Sequence, residues 1–496
     1  MLQAYDPAWF EERLETTVVS LCFDEHACAS AEGLATLDLT TRLLARFYPN
    51  LAFTSLSRSR RAGSVRTRLV ELARTINPEI DVSREGGTTG IVVGRSRVPG
   101  LETAIYAGSD GWVARVSTRV PVGSGASRNP FGAGASACLA AANLFRSIFA
   151  DHLKGAALDG ERSLSLLDFT VGDNLPAGPA IDDIDLGLLR LVGLGAIGNG
   201  SLWALSRVHG LRGAVDLVDP EIVELSNLQR YAMCDQADLG KHKADHAAAL
   251  VRRPELDARP FAMTWREYVS RLDDRRMERV AVALDTVRDR LEVQASLPKR
   301  LLNAWTQSGD LGVSRHDFLG PDACLCCLYL PRGATRNDDE IVAQELGFGE
   351  PDLQRIRAML YSGEPVGSAF VAEVAGRTNA EAAALQPFAN LPLRAFRAKA
   401  VCGGLVLRAA DGGGAETEVP LAFQSAMAGI MLSAEIVADC AGLSSPTRAT
   451  RTVVDLMRPL PDRINVPALK ASRSTVPRCI CQDADFIDAY TNKYAL

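Results

Sequence analysis

Three glycines and an aspartate carry the first chemical signal in this 496-residue chain. Gly193, Gly195 and Gly198 form a G-x-G-x-x-G run directly after the mostly apolar stretch Leu188 to Val192. Such a run lets the chain turn tightly and lets backbone N–H groups approach an anionic phosphate at the positive end of the following helix. A helix-like segment continues to Val208, and a second apolar stretch, Ala214 to Val218, ends on Asp219. A carboxylate at that strand end can accept ribose hydroxyls. Strand, glycine turn, helix and strand together are the setting in which the motif has physical meaning. Up to this point the unit suits a nicotinamide dehydrogenase as well as an ATP enzyme.

Cysteines supply the second signal. Cys324 and Cys327 form a C-x-x-C pair with Cys326 between them, and Cys479 and Cys481 form a distant C-x-C pair. Two cysteine pairs separated in this way have the arithmetic of a tetrahedral structural Zn²⁺ site. The alternative is a set of reduced, buried thiols. Cys326 is a spare that could replace either neighbour. If bound, the metal would staple the C-terminal segment to the nucleotide domain rather than do chemistry.

The residues after Asp219 separate the two nucleotide readings. Asp219-Pro-Glu-Ile-Val-Glu-Leu-Ser-Asn227-Leu-Gln-Arg230, followed by Gly240-Lys-His-Lys243, resembles the ATP site of the superfamily of ubiquitin-activating enzymes, MoeB and ThiF. That resemblance implies ATP on the glycine loop, with Asn227, Arg230 and Lys243 around its phosphates. Asp285, at the end of the apolar stretch Val280 to Leu284, falls where the family places its Mg²⁺-associated aspartate, although Thr286 stands where an asparagine usually follows. One carboxylate plus substrate phosphates is a workable Mg²⁺ site. In an open parallel sheet, Asp219 and Asp285 would face one crevice beyond the strand ends.

The same resemblance implies a catalytic cysteine in the crossover region. Cys402, in Ala400-Val401-Cys402-Gly403-Gly404, is the one thiol there, with Lys399 three residues upstream. A thiolate can attack an acyl-adenylate and leave a thioester. The alternative is a buried strand residue, because Val401 and Leu405 to Leu407 read as strand. Cys234 is the rival thiol, more simply read as packing.

The elements expected to hold these groups divide the chain into five stretches. Residues 1–175 are expected as an inactive adenylation-like half, with a helix over Ser64 to Ile76 and strands near Gly90 to Gly94 and Ala104 to Gly108. A linker follows over 176–185, and the active ATP-binding part over 186–327. A crossover and catalytic-cysteine insertion covers 328–420, and 421–496 completes the adenylation domain. Phe131, Ala135, Cys138, Leu139, Ala142 and Phe145 reappear as apolar residues at Phe423, Met427, Ile430, Met431, Ala434 and Val437, always 292 positions on. Such spacing is common in core helices, so coincidence is one account. The other, implied by the family, is two related halves forming an internal pseudo-dimer. Arg58, Arg60 and Arg61 are candidates for an arginine lent to ATP by the first half, or simply a solvated basic loop. The expected fold is therefore α/β and Rossmann-like, with an inactive half attached.

Composition sets the outer bounds. Hydrophobic residues at 47% and charged residues at 23% describe an ordinary globular chain, and a net charge of −6 argues against a nucleic-acid partner. The acidic N-terminus lacks a signal pattern, and no apolar run is long enough for a membrane span. A cytoplasmic, reduced protein is expected. The resemblance implies adenylation of the C-terminal carboxylate of a ubiquitin-like protein, thioester formation on Cys402 and transfer to a conjugating enzyme. The setting it suggests is a bacterial antiviral conjugation operon. The alternatives are a MoeB-like activator of a sulfur-carrier protein that has no need of Cys402, and a catalytically dead scaffold subunit.

Overall fold

The computed structural model describes residues 7–83, 86–153, 155–307, 309–330, 338–378, 382–397, 421–443, 448–474 and 477–495. One compact unit comprises residues 1–330 and 420–496, and a second comprises 331–419. The first unit is built on two sheets.

The first sheet uses β1 (Val19–Phe23), β2 (Leu51–Ser55), β3 (Thr89–Val93), β4 (Thr103–Asp110), β5 (Val113–Ser117), β6 (Glu161–Ser165) and β7 (Val171–Gly172), in the order β2-β1-β3-β4-β5-β6-β7. β2, β1, β3 and β4 run parallel, and β4 to β7 alternate. β1 is buried along its whole length, as a central parallel strand covered on both faces must be. Its helices are α1 (Pro7–Thr16), α2 (Glu25–Ala29), α3 (Ala31–Leu44), α4 (Arg60–Ile76) and α5 (Pro130–Ile148). Asn129 starts α5, its side-chain oxygen accepting the Phe131 N–H at 3.0 Å, and Pro130 fills the first turn where no donor is needed.

The second sheet begins with β8 (Ile184–Val192), α6 (Ala196–Leu205), β9 (Leu211–Val218), α7 (Lys243–Val251), β10 (Leu256–Phe261), α8 (Trp265–Ser270), β11 (Arg279–Val282), α9 (Val287–Ala295), β12 (Arg300–Thr306), β13 (Leu311–Asp317) and α10 (Leu325–Leu328). The chain then enters the second unit. There α11 (Asp338–Glu345), α12 (Leu353–Ser362), α13 (Ser368–Thr378), α14 (Ala382–Leu385) and α15 (Leu393–Phe396) enclose a separate small core that includes Leu346, Ile356, Val371 and Phe396. It returns to the first unit as α16 (Ala422–Cys440), β14 (Arg451–Val454), β15 (Asn465–Val466) and α17 (Ala484–Tyr494). The sheet order is β10-β9-β8-β11-β12-β13-β14-β15.

Setting β10 aside, the two sheets have the same order and the same strand directions: four parallel strands, then three antiparallel ones. α5 lies between the fifth and sixth strands of the first sheet, and α16 occupies the equivalent interval of the second. The six residue pairs 292 positions apart therefore sit on two helices of equal place, and all twelve are buried. The helices also meet, with Phe145 and Phe423 ring centroids 6.0 Å apart. One hydrophobic core runs through both sheets. A polar knot joins α3 to α6: Asp38 accepts from Trp203 Nε1 at 2.8 Å, Arg207 at 2.7 Å and Arg42 at 3.0 Å.

Residues 176–185 are tied to the first sheet: Trp112 donates its backbone N–H to the Ala177 carbonyl at 2.9 Å and its indole N–H to Pro179 at 2.8 Å, and β8 already contains Ile184 and Asp185. Residues 1–175 and 186–327 lie in one compact unit, and their helices share one core. α7 begins at Lys243, since Gly240 takes φ +81° and residues 239–242 fold back on the segment after Asp219.

Where α16 crosses α6, backbone lies directly against backbone. A Cβ on Gly429 of α16 would stand 2.1 Å from the Ile197 carbonyl oxygen and 2.5 Å from the Ser201 nitrogen of α6. Gly429→Ala should therefore lower the denaturation midpoint by the equivalent of about 2 kcal/mol, although alanine is intrinsically the better helix former by about 1 kcal/mol. Gly63→Ala, on open helix surface, should leave the midpoint unchanged or raise it. Chemical denaturation of the two variants separates packing from propensity.

Candidate functional site

The glycine loop lies where β8 hands over to α6. Gly193 has φ +90°, and a Cβ there would meet the Ala283 carbonyl oxygen at 2.6 Å, so only glycine fits between β8 and the end of β11. A Cβ on Gly198 would stand 2.6 Å from the Gly193 carbonyl oxygen, which makes this third glycine the close-packing one. Gly195 faces Tyr231, whose hydroxyl would be 3.3 Å from an added Cβ. Asn199, buried on α6, braces the turn: its Nδ2 donates to the Leu194 and Gly195 carbonyls at 3.1 Å, and its Oδ1 accepts the Met233 N–H at 3.1 Å.

Asp219 follows β9 directly and is buried. One carboxylate oxygen accepts the Leu194 N–H at 2.7 Å, and the other accepts the Glu221 N–H at 2.9 Å. The carboxylate thus closes the glycine loop itself and keeps further lone pairs for hydroxyls. Burial pushes its pKa above the usual carboxylate range, against the pull of Lys243 and the two N–H groups.

From Asp219 the chain makes a closed excursion. Lys243 N–H bonds to the Glu221 carbonyl at 2.9 Å, Val223 N–H to Lys241 at 2.9 Å and Gly240 N–H to Val223 at 2.9 Å. These bonds return Lys243, the first residue of α7, to the Asp219 end of β9. Its ammonium lies 2.5 Å from a Glu221 carboxylate oxygen and 5.1 Å from the centre of the Tyr231 ring. Burial works to lower the Lys243 pKa, but Tyr231, Asp219 and Glu221 together raise it, so the amine stays charged. Asn227 and Arg230 lie on the turn between: Asn227 Oδ1 accepts the Glu224 N–H at 3.0 Å, and the Asn227 carbonyl accepts the Arg230 and Tyr231 N–H groups at 3.1 Å. The Arg230 Nε is buried with no hydrogen-bond partner among the described residues.

Asp285 is exposed three residues beyond β11, on the loop that Arg290 secures through a 2.5 Å bond to the Leu284 carbonyl. Thr286, where an asparagine was expected, caps α9 by accepting the Asp289 N–H at 3.1 Å. Gly193, Gly195, Gly198, Asp219 and Lys243 are thus brought into one contact network, and Asn227, Arg230 and Asp285 stand on the turns flanking it. The donor set fits a nucleoside triphosphate: a glycine cradle with no Cβ, a buried ammonium and a guanidinium nitrogen without a partner. Cys402 and Lys399 lie outside the described residues, and none of the described bonds of Arg58, Arg60 or Arg61 leads to this site.

Asn199, Glu221, Tyr231 and two arginines of the first half were not singled out from the sequence. Arg46 donates to the Leu228, Tyr231 and Cys234 carbonyls, and Arg42 to that of Ala232. Cys234, Asp238 and His246 also meet closely enough to ligate a metal. Each is otherwise engaged: His246 spans Asp238 at 3.2 Å and the Met233 carbonyl at 3.1 Å, Cys234 donates to Asn199, and the Lys241 ammonium lies on Asp238 at 2.8 Å. That trio is a latch on the loop rather than a cation site.

Four other thiols do form a metal-type cluster. Cys324, Cys327, Cys479 and Cys481 stand 3.4–3.7 Å apart, close to the roughly 3.8 Å between sulfurs of a tetrahedral zinc with Zn–S of about 2.3 Å. Cys326 is not one of the four. Bound Zn²⁺ would tie the segment before α17 to α10, and α17 is itself held by Tyr494, whose hydroxyl bonds the Met277 and Leu297 carbonyls beside β11 and α9 at 3.0 Å. Elemental analysis should find close to one zinc per chain. Cys479→Ser should lose most of it together with several kcal/mol of stability, whereas Cys326→Ser should keep both.

Residues 187–472 match the sequence profile of the ThiF family, and residues 22–150 match the profile of Prokaryotic E2 family C. The chain is 47% identical over 491 residues, 98% of its own length and 93% of the relative's, to an uncharacterised protein of Sinorhizobium fredii, y4jF. Among solved structures, Escherichia coli MccB in a structure with a form of MccA aligns over 60% of this chain and 67% of MccB, at 14% identity and a TM-score of 0.36. PaaA aligns over 54% of this chain and 61% of PaaA at 14% identity, with a TM-score of 0.28. Superpositions that loose transfer no residue roles. No described helix is long and apolar enough to cross a membrane. The ThiF profile spans more than half of the sequence, and the chain belongs to the ThiF family.

Proposed function

We propose that this protein adenylates the C-terminal carboxylate of a ubiquitin-like protein with ATP·Mg²⁺, and that Cys402 then takes the acyl group as a thioester for delivery to a conjugating enzyme. The observation that carries the reading is the contact network of the glycine loop, Asp219, Tyr231 and Lys243 at the carboxyl ends of β8 and β9, where open α/β sheets bind nucleotides. Membership of the ThiF family supports the coarser part, ATP-dependent adenylation of a carboxylate. ATP supplies the adenylyl group: a carboxylate oxygen of the acceptor bonds to the α-phosphorus as pyrophosphate leaves, and the Cys402 thiolate then bonds to the acyl carbon as AMP leaves.

The roles of the protein groups follow from their positions. Gly193 to Gly198 present N–H groups to phosphate, and Asp219 has lone pairs left for ribose hydroxyls. Lys243, now held by Glu221, would exchange that exposed carboxylate for phosphate oxygens. Arg230 and Asn227 would complete the phosphate side, with Asp285 holding Mg²⁺. Positive charge fixed where negative charge develops is worth about a hundredfold or more in rate.

The same sheet order in the first half, without a glycine loop, supports reading residues 1–175 as an inactive counterpart in an internal pseudo-dimer. Where Gly193 follows β8, Asp24 follows β1. Its carboxylate accepts from Arg95 N at 2.7 Å, Ser96 Oγ at 2.8 Å and Ala27 N at 3.1 Å. Negative charge thus fills the place a triphosphate would need. The match to Prokaryotic E2 family C raises the thought of an acyl-carrying thiol in this half. Its cysteines are Cys22, Cys28 and Cys138, all buried, and burial pushes the first two thiols up to about 11. They are neutral and enclosed at physiological pH, so the acceptor thiol is sought at Cys402.

The test is ATP–pyrophosphate exchange with candidate ubiquitin-like proteins, with a non-reducing gel alongside. Wild type and Cys402→Ala should both exchange, and only wild type should form a thiol-sensitive adduct. Lys243→Ala should slow exchange by about a hundredfold. Exchange without an adduct in wild type would favour a sulfur-carrier activator of the MoeB kind. An adduct persisting in Cys402→Ala would move the acceptor to another thiol. Absence of exchange with every candidate would leave a nucleotide-binding scaffold and sink the enzyme reading.

A further inference from the structure

We infer that Arg46, contributed by the first half of the chain, is a positioning residue for the phosphate side of the nucleotide site, acting through the backbone on both sides of Arg230. The inference rests on the ATP reading above. Arg46 lies two residues beyond α3. Its Nε–H donates to the Leu228 carbonyl at 3.0 Å, one Nη donates to the Tyr231 and Cys234 carbonyls at 2.7 and 2.5 Å, and the other donates to the Arg42 carbonyl at 2.7 Å. Three of these four acceptors belong to the short segment that also carries Arg230 and places Tyr231 against Lys243 and Gly195. Arg42 adds a bond to the Ala232 carbonyl at 3.1 Å.

The chemistry of the guanidinium explains why this work falls to arginine. Burial and the neighbouring Arg42 charge both weigh against the cation, and no carboxylate among the described residues bonds to it. Carbonyl dipoles compensate instead, and a planar fork of five donors can address several at once, whereas an ammonium offers one compact point. The segment has no helix or strand of its own between its two short turns, so these bonds fix where its carbonyls stand. Arg230, whose Nε has no partner of its own, inherits its place from them. Asn199 and His246 hold Met233 on the other side of the same segment.

Binding of ATP and of AMP, each with Mg²⁺, is to be compared for wild type, R46K, R230A and the double variant, with folding followed by circular dichroism. R46K should bind ATP about tenfold more weakly and AMP nearly as wild type does, and it should add little in the R230A background, because the two residues act as one unit. Equal losses for both nucleotides, an unchanged ATP affinity, or full additivity with R230A would overturn the inference while leaving adenylation in place. Failure of the wild type to bind ATP would overturn both. If R46K does not fold, R42K, which gives up the guanidinium fork shared by Asp38 and the Ala232 carbonyl but leaves the Arg46 bonds to the segment in place, is read by the same comparison, with an expected ATP-selective loss of about threefold.

Discussion

The close approach of α6 and α16 is the constraint on which the rest depends. α6 begins with the glycine loop, and its far side must lie against α16 without side chains between them. Gly429 faces the Ile197 carbonyl, Gly200 faces Ala426, and the Ser201 and Ser433 hydroxyls share a 2.6 Å hydrogen bond. Because α16 also packs on α5, one seam of small residues fixes the nucleotide loop relative to both sheets at once. Close-packed interiors transmit such constraints stiffly. The loop is therefore placed by residues far from it in sequence and from two parts of the chain.

The same logic applies to charge. Asp219 is buried and used twice by backbone donors, yet it remains near a buried ammonium, so the site is electrically balanced before any substrate arrives. Glu221, largely exposed, is the replaceable partner of Lys243. A cation held by an exposed carboxylate is oriented without being committed, because exposed ion pairs are weak. Phosphate oxygens can take over without leaving a buried charge alone.

Much of this was legible in the sequence, and the limits have physical causes. The glycine turn and the place of Asp219 at a strand end could be read because each depends on local chain geometry, whereas Lys243 was singled out by the resemblance. The fixed interval between the α5 and α16 residues was readable too, but only sheet order gave it meaning. Asn199, Tyr231 and Arg46 were not legible, since they act on backbone carbonyls and N–H groups that any residue would present. The choice of Cys327 over Cys326 turned on a single short helix: Cys324 precedes α10, and the thiol three residues on returns to its side.

Asp24 follows β1 as the glycine loop follows β8, and there one carboxylate satisfies three donors. Replacing Asp24 with glycine would remove the charge but strand the Arg95 N–H, the Ser96 hydroxyl and the Ala27 N–H, each at a cost of about 1–3 kcal/mol if left buried. Gly94 leans on the same carboxylate. The negative charge on this loop is thus locked in by its neighbours: any substitution that removes it must also replace three hydrogen bonds.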